Sequence, residues 1–210
     1  TTLWNQLLMS HPTKKQPNLP KFFYRFFDKI FLISPSKDTL PLNKLKLNPD
    51  RIHNICSNGL IDDIVTNEKE DENLNNLIII DDSIKIIKNN SNPDKNGHAG
   101  LSLIITSQKF NACDLILRNN FSDIYLFKTE SAKERDCIKS ELMQDLSKSQ
   151  QEELLKTAWK KKYNFLLIKA YLGTKDRYYI NFDKVIFDDD NDNDNENENE
   201  NNIDLNLIKD

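Results

Sequence analysis

Glycine is scarce in this chain: only four of its 210 residues are glycine, namely Gly59, Gly97, Gly100 and Gly173. A loop that cradles phosphates through its backbone has the form G-x-x-x-x-G-K-[ST], and no two of these glycines have that spacing. The printed sequence therefore contains no complete glycine-rich phosphate loop.

Cysteine and histidine are also few. The three cysteines are Cys56, Cys113 and Cys137. Their odd number and the lack of a C-x-x-C pair indicate neither a disulfide framework nor a zinc site, and we expect a reducing compartment. The three histidines are scattered and form no i, i+4 pair. Two further features are missing: an apolar run near the roughly 20 residues of a membrane helix, and the pattern of a signal peptide. We therefore expect a protein that is neither secreted nor transmembrane.

Acidic residues are concentrated near the end of the chain. The net charge is −4, and residues 188–200 carry eight acids and no base. Without them the net charge would be about +4. This distribution fits a basic body that contacts DNA and an acidic tail that weakens that contact. It fits equally well a repeat tract that has no role. We expect one domain over residues 1–187 and a largely disordered, low-complexity tail over residues 188–210.

The most informative segment that is present runs from Leu77 to Asp82, where four apolar residues lead into two carboxylates. A continuous apolar run of this length predicts a parallel strand covered on both faces. Ligands of open α/β folds bind at the carboxyl ends of such strands. There, one acid can hold Mg²⁺ and a second can position or activate a water. The alternative is a strand followed by an exposed turn.

A second run, Leu101 to Gln108, predicts another buried strand that ends in polar groups at the same edge. The Gln108 amide can donate to a phosphate oxygen and accept from a water. Alternatively, Gln108 caps the next turn. At the chain start, Trp4, Leu7 and Leu8 have the spacing of one helix face, directly after Thr1 and Thr2.

The remaining segments predict further elements. The region of residues 111–119 favours a short helix that carries Arg118, either as a contact to a neighbour's nucleotide or as a plain surface residue. Lys160 to Lys162 fit a helix C-terminus, where cations offset the dipole, or a contact with DNA phosphates. Predicted strands are residues 28–33 and 51–55, and predicted helices are residues 131–146 and 149–162. Residues 165–171 and 177–182 are expected to form a hairpin. The aromatic segment 22–27, with Arg25 within it, is expected to lead into a strand with its rings in the core; the alternative is stacking on nucleic-acid bases.

In order and spacing, these segments resemble the genome-packaging ATPases of large DNA viruses, virophages and Polinton-type elements, within the FtsK–HerA branch of P-loop ATPases. The resemblance covers Thr1 to about Phe187. Two family features are not seen: a Gly-Lys pair, and an arginine before His98. The matching segments are Phe27–Pro35, Leu77–Asp82 as Walker B, His98, Ser107-Gln108 as sensor, Leu117–Asn120, Asp123–Lys128, Tyr163–Ile168 and Tyr179–Phe182.

The resemblance implies an α/β fold: a P-loop NTPase of the additional-strand type, a three-layer sandwich with a mainly parallel sheet and C-terminal helices and a hairpin. The family's strand order is 5-1-4-3-2, and the printed sequence lacks strand 1, so it would begin inside Walker A. Unpaired strand edges are an aggregation hazard, so we expect this chain by itself to be poorly soluble.

The resemblance also implies a function: an ATP-hydrolysing motor that moves viral double-stranded DNA into a capsid. If Gly-Lys preceded Thr1, Thr1 and Thr2 would bind nucleotide, and Thr1 and Asp81 would hold Mg²⁺. Asp82, Gln108 and Arg118 would be the catalytic residues, with Asp82 acting on water, Gln108 sensing the γ-phosphate and Arg118 reaching a neighbouring subunit.

The implied partners are DNA, capsid or portal-vertex proteins and further copies in a ring, without a membrane, in the host-cell cytoplasm or nucleus. Two alternatives stay open: a degenerate, non-catalytic relic or assembly subunit, and another DNA-pumping or helicase-like P-loop ATPase.

Overall fold

A computed structural model of the chain describes residues 4, 7–8, 23, 25–40, 47–68, 74–82 and 101–187. The chain divides into two compact units, Thr1–Arg118 and Asn119–Asp210, called here the first and second unit. Each unit contains one four-stranded sheet. The predicted tail at 188–210 lies outside the described residues, and the single domain over 1–187 stays a prediction.

The sheet of the first unit is entirely parallel, with the order β2-β1-β3-β4. This confirms the predicted α/β class with a mainly parallel sheet. The strands predicted at residues 28–33, 77–82 and 101–108 appear with slightly different bounds, and the strand predicted at residues 51–55 is only two residues long. Their bounds are Lys29–Ile33 for β1, Ile52–His53 for β2, Asn76–Asp81 for β3 and Leu101–Thr106 for β4.

Strand β3 lies between β1 and β4, and all six of its residues are buried. Its apolar run is the reason: a strand with neighbours on both sides and covered faces removes every side chain from water. Trp4 and Leu8, which are helical, pack against Leu77 and Ile79 of β3 and Leu32 of β1. The predicted apolar helix face is thus part of the core.

Strand β4 corrects one expectation. Its apolar run predicted full burial, but Leu103 is 37% exposed and Ser102 is exposed as well. Among the described strands, β4 pairs only with β3 and therefore forms an edge of its sheet. An apolar run shows that a strand is suited to a buried position in a sheet. It does not show whether another strand or helix covers that strand.

The aromatic segment before β1 is a second correction. Phe27 packs against the core cluster, but Phe26 is 54% exposed and Phe23 also reaches the surface. These three rings contact one another, with centroids 5.0–6.2 Å apart. Of these three described rings, only Phe27, the one nearest the strand, therefore belongs to the core. This part of the chain also contains the helices α1, over Asn58–Glu68, and α2, over Leu115–Asn119.

The sheet of the second unit is antiparallel, with the order β5-β6-β7-β8. It contains the predicted hairpin, β6 paired with β7, although the connection holds a short helix instead of a simple turn. The elements are β5 (Asp123–Phe127), α3 (Ala132–Leu142), α4 (Lys148–Ala158), β6 (Phe165–Lys169), α5 (Thr174–Arg177), β7 (Tyr178–Ile180) and β8 (Asp183–Lys184).

Helices α3 and α4 begin at capping serines. Ser131 accepts a hydrogen bond from the Glu134 backbone, and Ser147 forms a reciprocal capping box with Gln150. Both helices end earlier than predicted, and α4 stops at Ala158. Lys160 to Lys162 therefore lie beyond the helix. Among the described residues, no helix combines the length and apolarity needed to cross a membrane.

Candidate active site

Three parallel strands of the first unit end side by side in polar residues. Asp81 is the last residue of β3, Thr106 the last of β4, and Ser34 directly follows β1. The strand register places Asp81 opposite Thr106, and Ile80 opposite Ile33. Two hydroxyls therefore flank one carboxylate at the carboxyl edge of the sheet, where open α/β folds bind ligands.

Both carboxylate oxygens of Asp81 accept hydrogen bonds from these neighbours. The Ser34 Oγ donates to Oδ2 at 3.1 Å, and the Thr106 Oγ1 donates to Oδ1 at 2.6 Å. Ser34 is fully buried and Asp81 is 9% exposed. A buried carboxylate is costly unless its oxygens are hydrogen-bonded, so the two hydroxyls stabilise Asp81 and fix its orientation.

Asp82 is adjacent in sequence but exposed. Its backbone has a φ of 54°, in the left-handed region that residues other than glycine rarely occupy. Its N–H lies 3.3 Å from both the carbonyl oxygen and the Oγ1 of Thr106. Such strain persists only when surrounding contacts enforce it, and it is concentrated at functional sites. Here it turns the chain out of the sheet and brings the second carboxylate to solvent.

Gln108 meets Asp82 at this edge. Its Nε2 donates to the Asp82 Oδ2 at 2.8 Å. Ser107, predicted to share the sensor role, instead uses its hydroxyl on the Lys109 carbonyl oxygen, 2.8 Å away, within a turn. Of the predicted Ser-Gln pair, only Gln108 contacts the acidic residues in the described contacts.

The oxygen-rich donor set fits Mg²⁺. This ion prefers hard oxygen ligands and is commonly held by one or two carboxylates together with substrate phosphates and waters. Asp81 offers carboxylate oxygens with the Ser34 and Thr106 hydroxyls beside them. Within the described part of the chain, no cluster of three or more His, Cys, Asp or Glu side chains could hold a metal.

The other predicted site residues are not brought to this edge by any described contact. Thr1 and Thr2 lie outside the described residues. Arg118, on α2, donates from Nη1 to the Cys113 carbonyl oxygen at 2.7 Å, and its guanidinium carbon lies 5.0 Å from the centre of the Phe110 ring. Its guanidinium thus makes contacts within its own segment, and its role toward a neighbouring subunit stays a prediction.

The sequence predicted that hydroxyls at the end of the second apolar run, Thr106 among them, emerge at this edge, but it gave neither Thr106 nor Ser34 a role in the site. Each is a hydroxyl residue at the end of a strand that flanks β3. A search for polar residues that end neighbouring apolar runs would have found both. Their roles become visible only when the strand order β1-β3-β4 is known, because each is far from Asp81 in sequence.

Comparison of the sequence with protein families and with curated proteins gives no match. Among solved structures, the DNA-packaging ATPase from Sulfolobus Turreted Icosahedral Virus is similar, with a TM-score of 0.55 and 16% sequence identity over 73% of this chain and 82% of that chain.

Two structures of the genome packaging NTPase from Sulfolobus turreted icosahedral virus 2 are also similar. The complex with AMP has a TM-score of 0.48 and 15% identity, over 74% of this chain and 96% of that chain. The complex with ATP-gammaS has a TM-score of 0.49 and 16% identity, over 73% and 96%. At such identities a likeness establishes fold, and the first structure carries that conclusion: this chain has the α/β fold of a viral DNA-packaging ATPase, as the resemblance implied.

Proposed function

We propose that this protein is an ATP-hydrolysing motor that moves viral double-stranded DNA into a capsid. The observation that supports this most is the pair Asp81 and Asp82 at the end of β3, with Gln108 bound to Asp82. This arrangement occurs on a fold shared with a viral DNA-packaging ATPase. The fold allows many functions, so the proposal depends on the residues of the site.

In this proposal the two aspartates have different tasks. Asp81, oriented by Ser34 and Thr106, would hold Mg²⁺ together with the hydroxyl of Thr1, while Thr2 would contribute to the nucleotide-binding segment. The bound ion would neutralise charge on the phosphates. Asp82, which is exposed, would orient the attacking water and accept its proton.

Gln108 is suited to link the nucleotide state to the position of Asp82. Its amide nitrogen has two N–H donors, and one of them contacts the Asp82 carboxylate. The second donor is suited to a γ-phosphate oxygen. Loss of this phosphate would therefore change the hydrogen bonding of Gln108, and through it the position of Asp82, which orients the water. We extend the proposal to a ring of identical subunits, in which Arg118 would reach a neighbour's nucleotide, and to capsid or portal-vertex partners.

The test measures ATP hydrolysis by the Asp82→Asn variant. The DNA upstream of the Thr1 codon is sequenced first, and the assay uses protein that includes the expected Gly-Lys pair before Thr1. The variant should keep nucleotide binding and lose at least about a hundredfold in turnover, since a positioned base contributes roughly 10²–10⁴-fold. Asp62→Asn, at an exposed position of α1, is the matched control and should be unaffected. Unchanged turnover of Asp82→Asn would overturn the assignment.

A further inference from the structure

A surface cleft of about 360 Å³ lies in the second unit, away from the aspartates in sequence. Four lysines line it: Lys128, which follows β5, and Lys160, Lys161 and Lys162, which follow α4. No carboxylate belongs to its described lining. The cleft is therefore a concentration of positive charge with a definite place in the fold.

The chain holds the three consecutive lysines in a turn. Helix α4 ends at Ala158, and the indole Nε1 of the following residue, Trp159, donates to the carbonyl oxygen of Leu126 in β5 at 3.0 Å. The Asn164 N–H closes the turn by donating to the Lys161 carbonyl oxygen at 3.2 Å. Trp159 is buried, whereas Lys160 to Lys162 are exposed. The backbone beneath the lysines is thus anchored to the sheet while their side chains face water.

The acidic residue nearest in sequence to the lining does little to neutralise the cleft. Lys128 pairs with Glu130 at 2.9 Å, but the two side chains are 59% and 83% exposed. Hydrogen bonding and charge attraction from Lys128 lower the pKa of Glu130. Exposed pairs of this kind are weak and are screened by salt. A strong polyanion can therefore compete for Lys128.

The lining indicates a polymer of phosphates more than one small anion. Lysine ammonium groups are point charges that attract phosphate without fixing its orientation, and the cleft holds no arginine fork. Aromatic rings accompany them: Tyr163 is 78% exposed and Phe127 is 45% exposed. Lys162 Nζ lies 4.9 Å from the centre of the Tyr163 ring. Lysines interleaved with exposed rings are typical of surfaces that follow a nucleic-acid backbone and stack on its bases.

We propose that this cleft binds the phosphate backbone of a nucleic acid, with Lys128, Lys160, Lys161 and Lys162 contacting phosphates and Tyr163 beside them. The identity of the polymer as DNA rests on the proposed function, whereas the cleft itself rests on the contacts above. The inference gives the second unit a task of its own, separate from the carboxylates of the first.

The test measures DNA binding by the full chain without nucleotide. Fluorescence anisotropy is recorded with a labelled duplex of about 20 base pairs and with one of its single strands, at salt from about 50 to 200 mM. The variant Lys160→Gln with Lys162→Gln is compared with Lys133→Gln with Lys148→Gln. The control pair removes the same charge from exposed positions on α3 and α4 of the same unit.

We expect the cleft variant to bind at least about tenfold more weakly, with the slope of log affinity against log salt reduced by about one per lysine removed. The control pair should match the wild type. Lys160→Arg with Lys162→Arg keeps the charge and should retain binding, which separates charge from packing. Circular dichroism checks that each variant is folded.

Tyr163→Ala distinguishes the two forms of DNA. A loss confined to the single strand assigns the cleft to unpaired bases stacked on the ring, and unchanged affinity for both probes assigns it to duplex backbone. The proposal is overturned if wild type shows no salt-dependent binding, or if cleft and control variants weaken equally. Because no nucleotide is present in this assay, unchanged turnover of Asp82→Asn would refute only the proposed catalytic role, and loss of DNA binding in the cleft variant would still support the cleft.

Discussion

Asp81 and Asp82 are neighbours in the chain, yet one is buried between two hydroxyls and the other is exposed and contacts Gln108. Asp81 is the last residue of β3, whereas the backbone of Asp82 leaves the strand with a positive φ and lies outside the covered sheet. One carboxylate is held in a fixed orientation and the other can meet solvent water. That is the division of tasks that the proposed hydrolysis requires.

The hydrogen bond from Ser34 to Asp81 gives the first residue-scale prediction. Ser34→Ala should lower the free energy of unfolding by about 1–2 kcal/mol, because a buried carboxylate oxygen loses a donor. Urea denaturation followed by circular dichroism measures this. Ser36→Ala, which removes an exposed hydroxyl two residues later, is the control. Equal losses in both variants would contradict the importance of the Asp81 contact.

Tyr178 gives a prediction about pH. Its hydroxyl donates to the Leu142 carbonyl oxygen at 3.1 Å and to Asp145, and burial, followed by Asp145, raises the pKa of Tyr178. Burial also raises the pKa of Tyr125 to about 12. The unfolded pKa of tyrosine is about 10. A folded-state pKa above this value means that the folded protein favours the neutral hydroxyl. The resulting stability is fully present below about pH 10 and is lost as the pH rises through the folded-state pKa.

We therefore expect the second unit to lose stability above about pH 10. Tyr178→Phe should lower the free energy of unfolding by about 1 kcal/mol at neutral pH and weaken its alkaline decline. Denaturant titrations across pH measure both effects. Tyr163→Phe, at a 78% exposed position, should change neither. An unaltered alkaline decline in Tyr178→Phe would show that another group titrates.

At the scale of elements, the sequence predicted what is local. The apolar runs of β1, β3 and β4 and the β6–β7 hairpin all form, because run length and turn residues act over a few positions. The exposure of β4 depends on which strands flank it, and the roles of Ser34 and Thr106 depend on strand order. Neither property is encoded within one segment, which explains why both were missed.

The open edge of β4 gives a prediction for this element. Leu103→Lys should reduce self-association, because a lysine on an exposed edge disfavours pairing with another chain. Light scattering at matched concentrations measures the effect. Ile79→Lys, in the buried strand β3, should instead abolish the folded signal. If Leu103→Lys associates as strongly as the wild type, the contact between chains lies elsewhere.

At the scale of the whole molecule, the net charge of −4 combines two opposed regions. Exchanging the eight acids of residues 188–200 for their amides would give a net charge of +4 without changing the length. We expect this variant to bind DNA about tenfold more tightly at low salt, since the acids no longer compete with phosphates. Anisotropy titrations measure it, and the difference should vanish at high salt. Equal affinity at low salt would favour a tract without an electrostatic role.

The hydroxyls beside Asp81 also have a consequence for how the chain folds. Ser34 lies 47 residues from Asp81, and Thr106 lies 25 residues from it, so the acid receives both donors only after β1, β3 and β4 have paired in order. A slip of one residue along β4 would set Asp81 against Ile105 and flip a whole face of apolar side chains. Contacts between distant segments form late. The two hydrogen bonds to Asp81 thus favour the native register, because a misaligned sheet would leave a buried carboxylate without its donors.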